Sequence, residues 1–228
     1  KRAILESGNW QGDTLTEDMD LSYRAQMAGW RFVYANDVVC PAEIPAEIAG
    51  LKSQQYRWAK GAIQTAQKLL PSIWRSRTLP GLLKFEATVH LTNHLAFPAL
   101  LGIALISFPM LLACAVNRHS PLFIAIALIS AVNVFSYPIF YLVAQRALYT
   151  DWKRRSLFLP VLMAGAAGLS ITVTQAVFSG LFGRTGEFVR TPKFNLAGRQ
   201  PNAWRGRAYR SRIQATVLGE LGLGLYLA

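Results

Sequence analysis

Three stretches of this chain contain no Lys, Arg, Asp or Glu: Ala87–Asn117, His119–Gln145 and Ser156–Gly183. A bilayer core takes about 20 consecutive apolar residues as a helix, so at least two of these stretches are long enough to cross. Only 16% of the residues are charged, against about 25% in an ordinary soluble domain. The pattern therefore predicts an integral, multi-pass membrane protein. Its net charge is +12, and most of the Lys and Arg flank the apolar stretches. Anionic headgroups and the positive-inside bias account for that placement. The lipid bilayer is thus an expected partner and nucleic acid is not. Cys40 and Cys114 are the only cysteines, the second inside an apolar run, which argues against a disulfide framework. The chain opens at Lys1 in what reads as mid-domain sequence and ends at Ala228 inside another apolar stretch. We expect a fragment at both ends.

Residues 1–45 read as part of a soluble α/β domain. Thr14 or Thr16 can cap a helix that has Glu17 and Asp18 in its first turn and Gly29 at its end. Leu21, Ala25 and Ala28 give this helix one apolar face, and Trp30–Ala35 is rich in strand formers and predicts a strand. From Ala46 to about Leu70 the pattern is helical and amphipathic. Ile48, Leu51, Gln55, Trp58, Ala62 and Ala66 lie near one face, leaving Lys52, Lys60 and Lys68 to water or headgroups. Pro71 and the segment Arg75–Pro80 are expected to interrupt it. Residues 46–88 as a whole suit helices lying in the membrane interface.

Residues 89–145 predict two transmembrane helices, His90–Val116 and Pro121–Gln145, joined by a tight turn. The third stretch, Leu157–Phe182, is bracketed by basic clusters: Arg146, Lys153, Arg154 and Arg155 before it, and Arg184 through Arg212 after it. If it spanned, one cluster would lie outside, against the positive-inside rule. Lying in the interface keeps both clusters cytoplasmic, and its Gly, Ser and Thr content agrees. Residues 146–182 are accordingly read as a basic loop and an interfacial helix, 183–212 as a cytoplasmic loop, and 213–228 as the start of a further span.

Two motifs bear on chemistry. Thr16-Glu17-Asp18 places carboxylates at a helix start. A carboxylate held there beside a sugar pocket can take the proton from an attacking hydroxyl, but acids at a helix N-terminus also stabilise it through the dipole with no catalytic part. Gln54-Gln55-Tyr56-Arg57-Trp58 is a Q-x-x-R-W pattern, and at helical spacing Gln54, Arg57 and Trp58 can project together. Arg binds diphosphate through charge-assisted hydrogen bonds and Trp can stack on a sugar ring. The plainer reading is an interfacial aromatic beside a snorkelling Arg.

Together with Gly12–Leu21, Ala28–Arg31 and the paired spans, these motifs resemble the processive family-2 glycosyltransferases, the cellulose synthase-like β-glycan synthases. The resemblance implies the C-terminal piece of a GT-A-type α/β domain, here 1–45, followed by interfacial and transmembrane helices. It implies Asp18 as general base, positioned by Thr16 and Glu17, with Trp58 binding the acceptor sugar and Gln54 and Arg57 near the donor diphosphate. Phe188-Val189-Arg190-Thr191-Pro192-Lys193 resembles the family's gating loop, with Arg190 where the pattern has Val. Its implied roles are Thr191 and Lys193 at the diphosphate and Phe188 packing on the pocket. The expected partners are a nucleoside-diphosphate sugar (UDP- or GDP-hexose) and a polysaccharide acceptor. The implied metal, Mg or Mn, has its family ligands upstream of Lys1. His90, His94 and His119 make no metal site without acidic or Cys partners. The implied function is inverting hexose transfer to a growing β-linked polysaccharide coupled to translocation, from a bacterial inner membrane with its catalytic side cytoplasmic. The alternatives are single-sugar transfer to a lipid, or a non-catalytic transporter or scaffold. The fragment alone is expected to be inactive.

Overall fold

In the computed structural model, residues 1–35, 38–45, 47–116, 121–183 and 215–227 are described. After a short helix α1 (Arg2–Glu6), helix α2 (Glu17–Met27) follows the sequence signals at both ends. Thr16 occupies the N-cap position, and acids fill the first turn. Gly29, at φ 90°, ends it. Its N–H donates to Gln26 O and that of Trp30 to Ala25 O, the paired bonds that close a helix on a left-handed residue.

Residues 30–35 do not form the predicted strand; among the described residues there is no strand. A strand needs a partner for its backbone N–H and C=O groups, and here Val33 and Tyr34 are both 89% exposed. The apolar content that signalled a strand is present, but no described segment lies beside it to form a ladder.

Helix α3 (Ile48–Arg75) is 28 residues long and runs through Pro71. The interruption expected at Pro71 does not occur, because proline removes one backbone bond and the last turn keeps its other contacts; the one expected at Arg75–Pro80 does, since α3 ends at Arg75 and the next helix starts at Gly81. Ser76 N–H donates to Ser72 O, and Lys84 Nζ reaches Trp74 O and Ser76 O at 3.2 and 2.6 Å, satisfying carbonyls at the helix end. Helix α4 (Gly81–Thr92) follows, with a 3-10 turn at Asn93–Leu95 and then α5 (Ala96–Val116). Beyond it come α6 (Pro121–Leu148), α7 (Trp152–Ser156), α8 (Leu159–Gly168), α9 (Ser170–Leu181) and α10 (Ala215–Leu227).

The chain divides into two compact units, Lys1–Ala99 with Ile171–Gly219, and Leu100–Ser170 with Glu220–Ala228. In the first, Ala66, Leu69, Ile73, Ala87 and Leu91 form a core between α3 and α4, with Met19, Tyr23 and Met27 of α2 packed on it. Each fully buried Leu or Ile there contributes about 1.5–3 kcal/mol. The other side of α3 is covered by α9, whose Val173, Ala176 and Val177 are fully buried. Gly180 sits against Ile63, and Gln67 Nε2 donates to Leu181 O at 3.0 Å. Lys60, expected at the solvent or headgroups, is only 2% exposed, and its backbone oxygen lies beside Gly180 of α9. One apolar stripe was visible in the sequence, whereas α3 is buried on two sides.

In the second unit, Tyr226 of α10 donates its hydroxyl to Leu105 O at 2.6 Å and meets Phe108 edge-on. Arg155 lies 4.0 Å over the Tyr149 ring. Among the described residues, one helical run, Gly81–Met110, is long and apolar enough to cross a membrane. It begins upstream of the expected His90. The pair formed by Trp152–Gly168 and Ser170–Leu181 passes the same test only as a bent unit.

Candidate active site

The start of α2 is fixed by three contacts from α3. Gly61 of α3 lies so close to Thr16 that a Cβ there would stand 2.6 Å from Thr16 Cγ2 and 2.8 Å from its backbone nitrogen. Thr16 Oγ1 is 3.3 Å from Thr65 Oγ1, so this hydroxyl turns to α3 instead of capping its own helix. Leu15 N–H donates to Gln64 Oε1 at 3.0 Å.

Beneath this contact lies a buried ionic cluster. Asp20 is fully buried; its Oδ2 accepts from Arg24 at 2.7–2.8 Å and its Oδ1 is 2.9 Å from Lys68 Nζ. Arg24 also donates to the backbone oxygens of Ser7 and Asn9. Lys68 continues to Gln11 Oε1 at 2.7 Å and to Asp13 at 2.8 Å. Burial disfavours the charge on Lys68, but hydrogen bonds and attraction from Asp13 and Asp20 outweigh it and raise its pKa. The Lys68 hydrogen bond in turn holds Asp13 below the usual carboxylate range. Lys68 was expected at water or headgroups; instead it ties α3 to the segment before α2.

Thr16, Asp18 and Trp58 all line one cavity of about 1100 Å³. Asp18 is exposed, and its Oδ1 accepts from Met19 N–H at 2.8 Å. Trp58 is 44% exposed. The cavity continues past Tyr23 and Trp30 to Glu86, His90 and His94. It thus joins a carboxylate able to accept a proton, an aromatic face able to stack on a sugar, and polar groups further along. Glu17, Gln54 and Arg57 are half-buried and are not among its lining residues. Phe188, Arg190, Thr191 and Lys193 lie outside the described residues.

The sequence motifs did not single out Gly61, Thr65, Asp20, Lys68 or Tyr23. Helical spacing offered a signal: Trp58, Gly61, Thr65 and Lys68 recur at three- and four-residue steps along α3. Asp20 and Arg24 form an i,i+4 pair. Among the described residues no group of three His, Cys, Asp or Glu could hold a metal ion. The described residues therefore supply no ligand set for a metal.

The model for glycosyl transferase family group 2 matches residues 1–171. Glucomannan 4-beta-mannosyltransferase 7 of Arabidopsis thaliana is 40% identical over 77 residues, 34% of this chain and 14% of that protein. Glucomannan 4-beta-mannosyltransferase 1 of Oryza sativa subsp. japonica is 40% identical over 75 residues, 33% of this chain and 14% of the relative. Probable glucomannan 4-beta-mannosyltransferase 3 of the same rice is 30% identical over 195 residues, 84% of this chain and 33% of its own length. The chain thus spans at most a third of the curated relatives it matches. No solved structure matches it.

Proposed function

The chain belongs to glycosyl transferase family group 2, and from that membership we propose that it forms the acceptor side of a membrane β-glycan synthase. In this reading a hexose passes with inversion from a nucleoside-diphosphate sugar to the end of a β-linked polysaccharide. The names of the relatives favour mannose as the hexose and a β-1,4 linkage. The observation that carries the reading is the shared cavity of Asp18 and Trp58, two residues on different helices locked together by the Gly61–Thr16 approach.

Mechanistically, Asp18 takes the proton of the acceptor hydroxyl as that oxygen attacks the anomeric carbon and the diphosphate leaves from the opposite face. The bond from Asp18 Oδ1 to Met19 N–H restricts the carboxylate's rotation and leaves Oδ2 for the hydroxyl. Trp58 holds the acceptor ring so that its hydroxyl meets the donor in an attacking geometry. Glu17 and Thr16 act by fixing the first turn of α2. Gln54 and Arg57, one turn or less from Trp58 on α3, are assigned to the donor diphosphate, together with Thr191 and Lys193 of the loop that Phe188 and Arg190 belong to. The helical run Gly81–Met110 supports a membrane location, with the polymer leaving across the bilayer.

The test uses the full-length protein in detergent or lipid. Asp18→Asn keeps the shape and hydrogen bonds but removes the base, so transfer falls by about 10²–10⁴-fold, while binding of the nucleoside diphosphate stays. Retention of full activity by this variant overturns the assignment. The length of the product separates chain synthesis from single-sugar transfer to a lipid.

A further inference from the structure

The cavity does not end at Asp18 and Trp58. Tyr23 lies five residues further along α2, about 7.5 Å of helix rise, and its hydroxyl is 2.7 Å from His90 Nδ1. The two rings are 5.9 Å apart between centroids. One helical turn beyond His90, His94 lines the same cavity, and its Nδ1 is buried with no hydrogen-bond partner among the described residues. Both histidines fall within Gly81–Met110, the run otherwise apolar enough to cross a membrane. Polar and ionisable residues in such helices mark substrate pathways, and an orphaned buried acceptor or donor costs stability unless a ligand pairs with it.

We propose that Tyr23, His90 and His94 form a second acceptor subsite, which hydrogen-bonds the hydroxyls of a sugar ring beyond the one stacked on Trp58. The inference rests on the reading of Asp18 and Trp58 as the transfer point. Its chemistry suits a neutral polyhydroxylated ring. With Tyr23 donating to His90 Nδ1, the imidazole keeps Nε2–H as a donor and the phenol oxygen keeps an accepting lone pair. Each sugar hydroxyl both donates and accepts, so the several hydroxyls of one ring can pair with these groups and with His94 Nδ1. Glu86, on the same helix as His90 and also lining the cavity, disfavours an anion such as the donor diphosphate there. The pair is no metal site, since no third ligand joins it among the described residues. The distance along α2 places the subsite within reach of the second or third residue of an acceptor chain whose end lies at Asp18.

The experiment measures acceptor and donor KM separately in the full-length protein, with a soluble β-1,4-mannooligosaccharide as acceptor probe. His94→Ala and Tyr23→Phe are compared with the unaltered protein; Tyr23→Phe keeps the ring packed on the α3–α4 core and so tests the hydroxyl without disturbing the fold. Each lost hydrogen bond raises acceptor KM by about five- to tenfold, with donor KM and nucleoside-diphosphate affinity unmoved. A longer acceptor loses more than a monosaccharide, because only the longer one reaches the subsite. An acceptor KM within twofold of the unaltered value overturns the inference, as does a parallel rise in donor KM, which marks a structural role. If the unaltered protein transfers no sugar to any oligosaccharide, the reading of the transfer point itself fails, and the subsite falls with it.

Discussion

Replacing Gly61 with alanine adds one methyl group at the tightest approach in the site. The new Cβ would stand 2.6 Å from Thr16 Cγ2, 2.7 Å from its Oγ1 and 2.8 Å from its backbone nitrogen. Rotating the threonine side chain relieves the first two contacts but not the third. Non-bonded contacts settle at about 3.5–4.0 Å, so α2 or α3 must move by about 0.7 Å or more at the residue just before Glu17 and Asp18. Two energies oppose each other. Alanine is favoured over glycine inside a helix by about 1 kcal/mol, and overpacking of this kind costs about 1–3 kcal/mol, leaving a net destabilisation of about 0–2 kcal/mol. The effect on catalysis is larger, because a misplacement near 1 Å can cost about a hundredfold in rate. In the full-length protein we expect Gly61→Ala to lower kcat by about 10–100-fold with Tm shifted by a few degrees. Gly102→Ala, inside α5 where a Cβ meets nothing within 4 Å, should leave kcat unchanged and not lower Tm. A Gly61→Ala protein with activity within twofold of the original would show that the start of α2 is not held by α3, and the positional argument for Asp18 would fail.

Asp20→Asn leaves Arg24 and Lys68 facing a neutral buried group, and breaking such a cluster costs about 3–5 kcal/mol, read by chemical or thermal unfolding. The Asp13–Lys68 pair sets a pH window. The lowered pKa of Asp13 means that its contribution is present above 3.8 and lost as pH falls through the folded value. The raised pKa of Lys68 means that its contribution is full below 10.5 and lost as pH rises through the folded value. Stability curves of the protein and of Asp13→Asn should therefore converge at the acid end and stay parallel near neutrality. Trp58→Ala removes the aromatic face at the cavity and should raise acceptor KM with nucleotide affinity retained; unchanged KM for acceptor would remove Trp58 from the platform.

The start and end of α2 were legible because Thr16, the acids after it and Gly29 are local signals that need no partner. The apolar stretches were legible as helices for the same reason. The expected strand at Trp30–Ala35 failed because a strand is a property of a pair, and sequence preference alone cannot supply its neighbour. Pro71 and Lys60 were misread for opposite causes. The proline's cost is one bond among many in a long helix, and the lysine lies where α9, more than a hundred residues away along the chain, approaches α3. Within the site, Asp18 and Trp58 stood out by motif, while Gly61 and Thr65 did not. Their importance is a matter of distance between two helices, and helical spacing shows only which residues share a face.

The ionic cluster under α2 has a further consequence for how the protein opens. One buried carboxylate, Asp20, is joined through Arg24 to Ser7 and Asn9 and through Lys68 to Gln11, Asp13 and the middle of α3. Separating α2 from α3 parts Asp20 from Lys68 and leaves the buried carboxylate with one cation fewer. The two helices are therefore expected to open together, as one cooperative unit of local unfolding. Amides of α2 and of α3 around Lys68 should share one opening free energy in hydrogen exchange, above that of the exposed residues 30–35.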